Sequence, residues 1–174
     1  MGRDLVPYDR FMAHWGAFAE EAPHVSEVFT RRHAATGYLC LMGTLRSDGW
    51  PRISPIEPRI FEGHLVLVGM PGTTKFRDLG RDPRFSLHTA TIDPYVGEGD
   101  AKLSGVVKNL QDQEMHRRFA DALFEESGFD LRGEVFDPFY VADITEASTV
   151  ELVDNQLRIT IWKPGQGESV VFKD

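Results

Sequence analysis

The sequence predicts a mainly β domain with flanking helices, a barrel of short antiparallel strands and not a doubly wound parallel sheet. Two observations carry this. From Gly37 onwards the apolar runs are short, and turn pairs such as Asp48-Gly49, Glu62-Gly63 and Asp154-Asn155 separate them in the manner of hairpins. A G-x-G-x-x-G turn of the kind that opens a dinucleotide-binding unit is absent, which weighs against a Rossmann arrangement.

Taken in order, Tyr8, Phe11, Met12, Trp15, Phe18 and Ala19 recur at helical spacing, while Glu20 and Glu21 fall outside the stripe. This predicts an amphipathic helix ending near Pro23. A second short helix covers Val25 to His33, so a helical segment over about 8–33 packs on the barrel. "GYLCLMGTL" is the first strand, "PRISPIEPRIF" the second and "HLVLVGM" the third, joined as an antiparallel meander. "TTKFRDLGRD" is a short helix with Gly80 as its expected cap. "FSLHTA" and "AKLSGVVKNL" are the next strands. A longer helix runs from about Asp112 to Glu126 with Met115, Phe119, Leu123 and Phe124 inward. "GFDLRGEVFDP" is a loop, and "FYVADI", "STVELVD" and "LRITIWK" are further strands. No repeat or linker divides the 174 residues, so 1–174 reads as a single domain.

Composition narrows the class. Hydrophobic residues make up 41% and charged residues 26%, the balance of a globular chain. A formal net charge of −8 argues against a duplex nucleic-acid surface, which needs clustered Lys and Arg. The one cysteine, Cys40, cannot form an internal disulfide and fits a reducing, cytoplasmic setting. "MGRDLVPYDR" carries acidic residues and no apolar stretch of a secretory signal, and Val6 stands where a myristoylation signal carries Ser or Thr. No apolar run reaches bilayer length, so no membrane association is expected.

The stretch that carries chemistry is "GMPGTTKFRDL", Gly69 to Leu79. It fails the P-loop spelling because Gly72 comes too early, three residues before Lys75, where that motif sets the glycine directly before the lysine. Strand periodicity puts Arg52, Ser54 and Ile56 on one face of the second strand. If that strand pairs with the third in a hairpin, Arg52 and Ser54 converge on Thr73, Thr74 and Lys75 at a helix start. Arg then offers a planar fork, Lys a point charge, Thr a hydroxyl, and the helix its free N–H groups, all suited to a phosphate. Spacing alone leaves a second reading equally open, in which Thr73 is an N-cap and Arg52 and Lys75 are surface charges.

The span "GTLRSDGWPRISPIEPRIFEGHLVLVGMPGTTKFRDLGRDPRFSLHTA" resembles the core of the pyridoxamine 5′-phosphate oxidase-like proteins, the FMN-binding split barrels. The shared elements are a strand, a "DG" turn, a "PRISP" strand, a Gly turn, an apolar strand, a Thr-x-Lys-x-x-Asp-Leu helix and an "RDPR" turn, and their order makes the match specific. The resemblance implies a Greek-key split β-barrel, a homodimer with flavin at the subunit interface, and FMN as cofactor. A related branch of the same barrel binds a 5-deazaflavin instead. It implies that Arg52, Ile53 and Ser54 lie against the flavin and its phosphate, and that Val68 and Gly69 lie beside the ring. Thr73, Thr74 and Lys75 match the phosphate-binding element, and Lys102 a polar contact to the ring. Trp162 resembles a Trp that reaches the neighbouring subunit's flavin. Glu57 stands where the vitamin-producing oxidases carry a Lys, and the C-terminus lacks their Arg-x-His segment, which argues against pyridoxamine 5′-phosphate oxidation itself.

No side chain stands out as a catalytic acid, base or nucleophile. The six histidines show no H-x-x-x-H or H-E-x-x-H pairing, so no metal site is expected. Cys40 has no basic neighbour in sequence, which makes it a core thiol, and "GESVV" lacks the closing glycine of a nucleophile elbow. The expected function is a flavin-dependent oxidoreductase acting on a small molecule, with the chemistry supplied by the cofactor. A non-enzymatic flavin carrier or sensor is the second reading.

Overall fold

The computed structural model describes residues 12–91 and 96–174. Tyr8 and Phe11 of the expected helical stripe lie outside them. The described chain opens with two helices, α1 (Trp15–Glu21) and α2 (Pro23–Ala35). Pro23 occupies the first turn of α2, where its missing N–H is no loss. The strands are β1 (Cys40–Leu45), β2 (Pro51–Ile56), β3 (Arg59–Phe61), β4 (His64–Leu67), β5 (Arg84–Thr89), β6 (Asp100–Asn109), β7 (Tyr140–Val153), β8 (Gln156–Lys163) and β9 (Gly167–Lys173). Helix α3 (Thr74–Arg81) joins β4 to β5, and α4 (Gln113–Ser127) joins β6 to β7. Among the described residues the strands form one antiparallel sheet in the order β2-β1-β5-β6-β7-β4-β3, with β8 beside β7 and β9 beside β8.

The sheet departs from the expected meander at one proline. "PRISPIEPRIF" breaks at Glu57-Pro58 into β2, which pairs with β1, and β3, which pairs with β4. Pro58 has no N–H for a ladder and restricts the residue before it, so the run bends there. The hairpin expected at Glu62-Gly63 forms between β3 and β4 alone, and the half that carries Arg52 and Ser54 pairs with β1 instead of the third strand. "FYVADI" and "STVELVD" are one continuous strand, β7, of 14 residues. Its first half pairs with β4 and its second half with β8, along the edge opposite β6. The C-terminal "GESVVFK", not expected as a strand, is β9. Gly80 lies inside α3 and caps nothing; the helix ends at Asp82, before Pro83.

Strands β6 and β7 slip register between Ser104 and Gly105, leaving Thr145 as the extra residue. Here a glycine is required. A Cβ on Gly105 would sit 2.1 Å from the Asp143 carbonyl oxygen, which is backbone and cannot swing away.

Two cores hold the fold. Trp15, Phe18, Val25, Val28 and Phe29 of the first two helices pack with Cys40, Met42, Leu65, Leu67, Leu87, Leu103, Ile144 and Trp162 of the strands. Met115, Phe119 and Leu123 of α4 pack with Val66, Phe139 and Val141. The Glu168 carboxylate accepts from the Val25 N–H at 2.8 Å, which ties the start of α2 to β9. Burial pushes the Cys40 thiol up to about 12, the behaviour of an inert core thiol. Among the described residues no helix is long and apolar enough to cross a membrane.

His33 of α2 gives a stability test. It stacks on Phe29 at 5.3 Å, and burial, with the Arg59 charge adding to it, lowers its pKa to about 4. A histidine depressed in the folded state is neutral there, and the unfolded chain takes up the proton first. Stability is therefore full above pH 6.5 and falls as pH drops towards 4, by about 2–3 kcal/mol. Urea titrations at pH 7 and pH 4.5 should show that loss in the parent and a smaller one in His33→Phe.

Candidate functional site

Gly72 (φ 71) turns the chain into the extended Thr73, the N-cap of α3. Thr73 makes no capping hydrogen bond, and its Oγ1 is buried without a partner among the described residues. Thr73 thus holds the N-cap position without the hydrogen bond that a capping side chain makes. One residue into the helix, the Lys75 ammonium donates to the Pro55 carbonyl at 2.7 Å and lies 5.9 Å from the Phe76 ring. Burial lowers its pKa from the ordinary lysine value.

Arg52 reaches the same helix. Its Nε donates to Asp78 at 2.6 Å, and Asp78, only 3% exposed, also accepts from Thr44 Oγ1 at 3.1 Å and Arg81 at 3.3 Å. Burial acts to raise the Asp78 carboxyl, but the hydrogen bonds from Arg52, Thr44 and Arg81 outweigh it and hold the group below its ordinary value. Asp78 thus fixes Arg52 through Nε, and no hydrogen bond from the guanidinium's terminal nitrogens is found among the described residues. Asp78 is the residue that the sequence reading missed. Its spacing from Lys75 was visible, but its contact with Arg52 depends on how α3 packs on β1 and β2.

The expected site residues divide between two faces. Arg52 and Ser54 alternate with Ile53, so they cannot share its side of β2. Thr73, the exposed Thr74 and Lys75 open α3, and Arg52 meets that helix further along, at Asp78. Ile53, 75% exposed, stands on the outer face. Its cross-strand row runs through Gly43, Ser86 and Ser104, the small residues that floor a trough of about 770 Å³. Lys102 belongs to the next row, beyond Leu41 and His88, with its ammonium 2.7 Å from Asp100. Val68 and Gly69 follow β4 directly; Val68 packs on the α4 core, and a Cβ on Gly69 would meet the Phe76 ring at 3.0 Å.

Trp162 is elsewhere. It is fully buried, edge-on to Phe18 at 4.9 Å, and its indole N–H donates to Glu21 at 3.3 Å. It sits in the core beside Phe18 of α1, on the inward side of β8.

No protein-family model matches the chain, and no curated protein matches it. Solved structures do. A pyridoxamine 5′-phosphate oxidase-related, FMN-binding protein from Nostoc punctiforme superposes with a TM-score of 0.55 at 11% identity, covering 99% of this chain and 100% of that one. The fold is the split barrel. PhzG from Burkholderia lata, in complex with tetrahydrophenazine-1-carboxylic acid, matches this split barrel with a TM-score of 0.50 at 15% identity over 83% of this chain and 90% of that one. A heme-binding protein from Mycobacterium smegmatis matches at 0.50 and 21% identity, over 85% of this chain, which spans 57% of that protein. At these identities the likeness carries the fold, and the site rests on the residues described above.

Proposed function

We propose that this split barrel binds a flavin and works as a flavin-dependent oxidoreductase on a small molecule. The observation that carries the reading is the group at the start of α3. A buried hydroxyl and a desolvated ammonium stand in the first turn of α3, and a guanidinium held by one edge reaches the same helix one turn further on, at Asp78. That donor set fits a terminal phosphate.

Arg52, Thr73, Thr74 and Lys75 would hold the phosphate. Ser54 stands on the Arg52 side of β2, Ile53, Val68 and Gly69 would flank the ring, and Lys102 would stand at the far rim of the trough. Bound there, the flavin supplies two-electron transfer between a donor and an acceptor. The chain's own residues bind and orient it. Asp78 holds Arg52 in place, Lys75 exchanges its Pro55 carbonyl for a phosphate oxygen, and apolar Ile53 and Leu41 keep water from the outer face. Ile53, Trp50 and Leu41 are 75%, 70% and 44% exposed, and a second copy of this chain laid on that face would cover them. The homodimer is part of the proposal.

The test is the visible spectrum and mass of the group that copurifies, followed by rapid mixing of the reduced holoprotein with oxygen, a quinone and an enone. FMN is the expected group; a 5-deazaflavin would keep the clamp and change the ring. Reoxidation faster than free flavin for one acceptor supports an enzyme. Rates equal to free flavin for all of them would leave a carrier, and a colourless protein without affinity for either cofactor would end the proposal.

A further inference from the structure

A second cavity, of about 360 Å³, lies between α2, β3 and α4 and shares no lining residue with the outer trough. One wall is apolar, with Phe61 and Phe119 edge to face at 5.5 Å. The other carries His33, Tyr38, Arg59 and Glu126. His33 is 3% exposed, and among the described residues its Nε2 has no hydrogen bond of ordinary geometry, although the Tyr38 and Pro58 backbones lie near enough to the ring to favour its proton. Arg59 Nε is buried without one as well, although the Glu126 carboxylate stands 3.4 Å away. Two such atoms at the wall of one cavity are unfavourable unless something else satisfies them.

Tyr38 lies against both groups. The Arg59 guanidinium sits 4.2 Å over its ring, and His33 meets the ring edge-on at 5.2 Å. Its backbone is held at φ 67, directly after Gly37 at φ 66, a left-handed conformation that a bulky residue rarely adopts. The turn that ends α2 sets this conformation, with the Tyr38 N–H donating to the His33 carbonyl at 2.7 Å, and it brings the Tyr38 ring over the cavity wall.

The charges select the ligand. Arg59 already faces Glu126 at 3.4 Å and Glu57 at 3.8 Å, so a carboxylate would bring a third anion to one cation. A neutral amide avoids this. Its oxygen accepts from Arg59 Nε, its NH₂ donates to Glu126, and it can serve His33 Nε2 in either tautomer. The Phe61–Phe119 wall takes a planar apolar body. We propose that this cavity is a ligand site, separate from the flavin trough, for a small neutral aromatic carboxamide, its head group at Arg59, His33 and Glu126 and its ring against Phe61 and Phe119. The Tyr38 hydroxyl already bonds Glu126, so the entering amide displaces the Tyr38 ring from Arg59 and takes the place of its hydroxyl at that carboxylate.

Benzamide is the probe, titrated into the full chain and followed by NMR. Binding should saturate at one site and shift the ring resonances of Phe61 and Phe119. Benzoate should bind at least about tenfold more weakly, and Glu126→Gln should narrow that gap. His33→Phe keeps the ring on Phe29 and should weaken benzamide by about tenfold or more. Ala122→Phe fills the cavity from its rim, leaves every polar group in place and should abolish binding. Saturating FMN should leave the benzamide titration unchanged, and that arm keeps the two sites distinguishable. No saturable binding, benzoate binding as tightly as benzamide, competition by FMN, or full affinity in both variants would each overturn the proposal.

Discussion

Replacing Arg52 and Lys75 together by alanine is expected to weaken flavin binding by about a hundredfold to ten-thousandfold. Each contact to a phosphate is charge-assisted and contributes about 1.5–3 kcal/mol, and each 1.4 kcal/mol is about a factor of ten. The two residues do not act alike. Lys75 spends its ammonium on the Pro55 carbonyl, a neutral acceptor that can return to water, so Lys75→Ala should reduce affinity with little loss of stability. Arg52 is paired with Asp78, which is 3% exposed, so Arg52→Ala also removes the shortest of the three side-chain hydrogen bonds to a buried carboxylate and costs stability. Fluorescence titration with FMN, read beside a urea melt of each single variant, separates the two effects. An unchanged FMN affinity in the double variant, folded by circular dichroism, would remove the phosphate assignment.

The second large effect concerns Trp162. Trp162→Ala should cost about 3–5 kcal/mol of stability, the range for deleting a large aromatic from a packed core. The indole is fully buried, faces Phe18 at 4.9 Å and donates to Glu21, which also accepts from the Gly165 N–H at 3.1 Å. The deletion thus opens a void under α1 and removes one donor from that carboxylate. Trp162→Phe fills much of the void and should lose less. Flavin affinity of the folded fraction should match the parent in both. A Trp162→Phe variant with parental stability and a hundredfold weaker flavin would restore the role that sequence resemblance gives this residue.

How much could be read beforehand depended on the range of the interaction. Helix α4 was legible because Asp112 caps it, accepting from the Glu114 and Met115 N–H groups, and Gly128 ends it at φ 72, all within one local stretch. The Asp154-Asn155 turn was legible for the same reason, with both residues at positive φ. What failed was partner choice. Nothing in "PRISPIEPRIF" says that its two halves pair with different strands, although Pro58 marks the break. Trp162 shows the same limit, since alternation predicts that a side chain points inward or outward and cannot say what the inward side contains. The proposed clamp was half visible. Lys75 and the threonines are neighbours in sequence, whereas Asp78 gains its role only when α3 lies on β1 and β2.

The break at Pro58 has a mechanical consequence. Strands β2 and β3 are the two ends of the strand path, yet they are consecutive in the chain. The sheet's open seam is thus bridged by covalent bonds where a ladder would otherwise run. Three Cα steps from Ile56 to Arg59 limit its opening there to about 10 Å. The β2 lip is poor in free amides, because Pro51 and Pro55 have none, and Lys75 occupies the Pro55 carbonyl. A foreign strand finds little to pair with at that lip. The barrel can therefore stay unzipped along this line without becoming a template for aggregation, and a phosphate arriving at Lys75 would land beside its hinge.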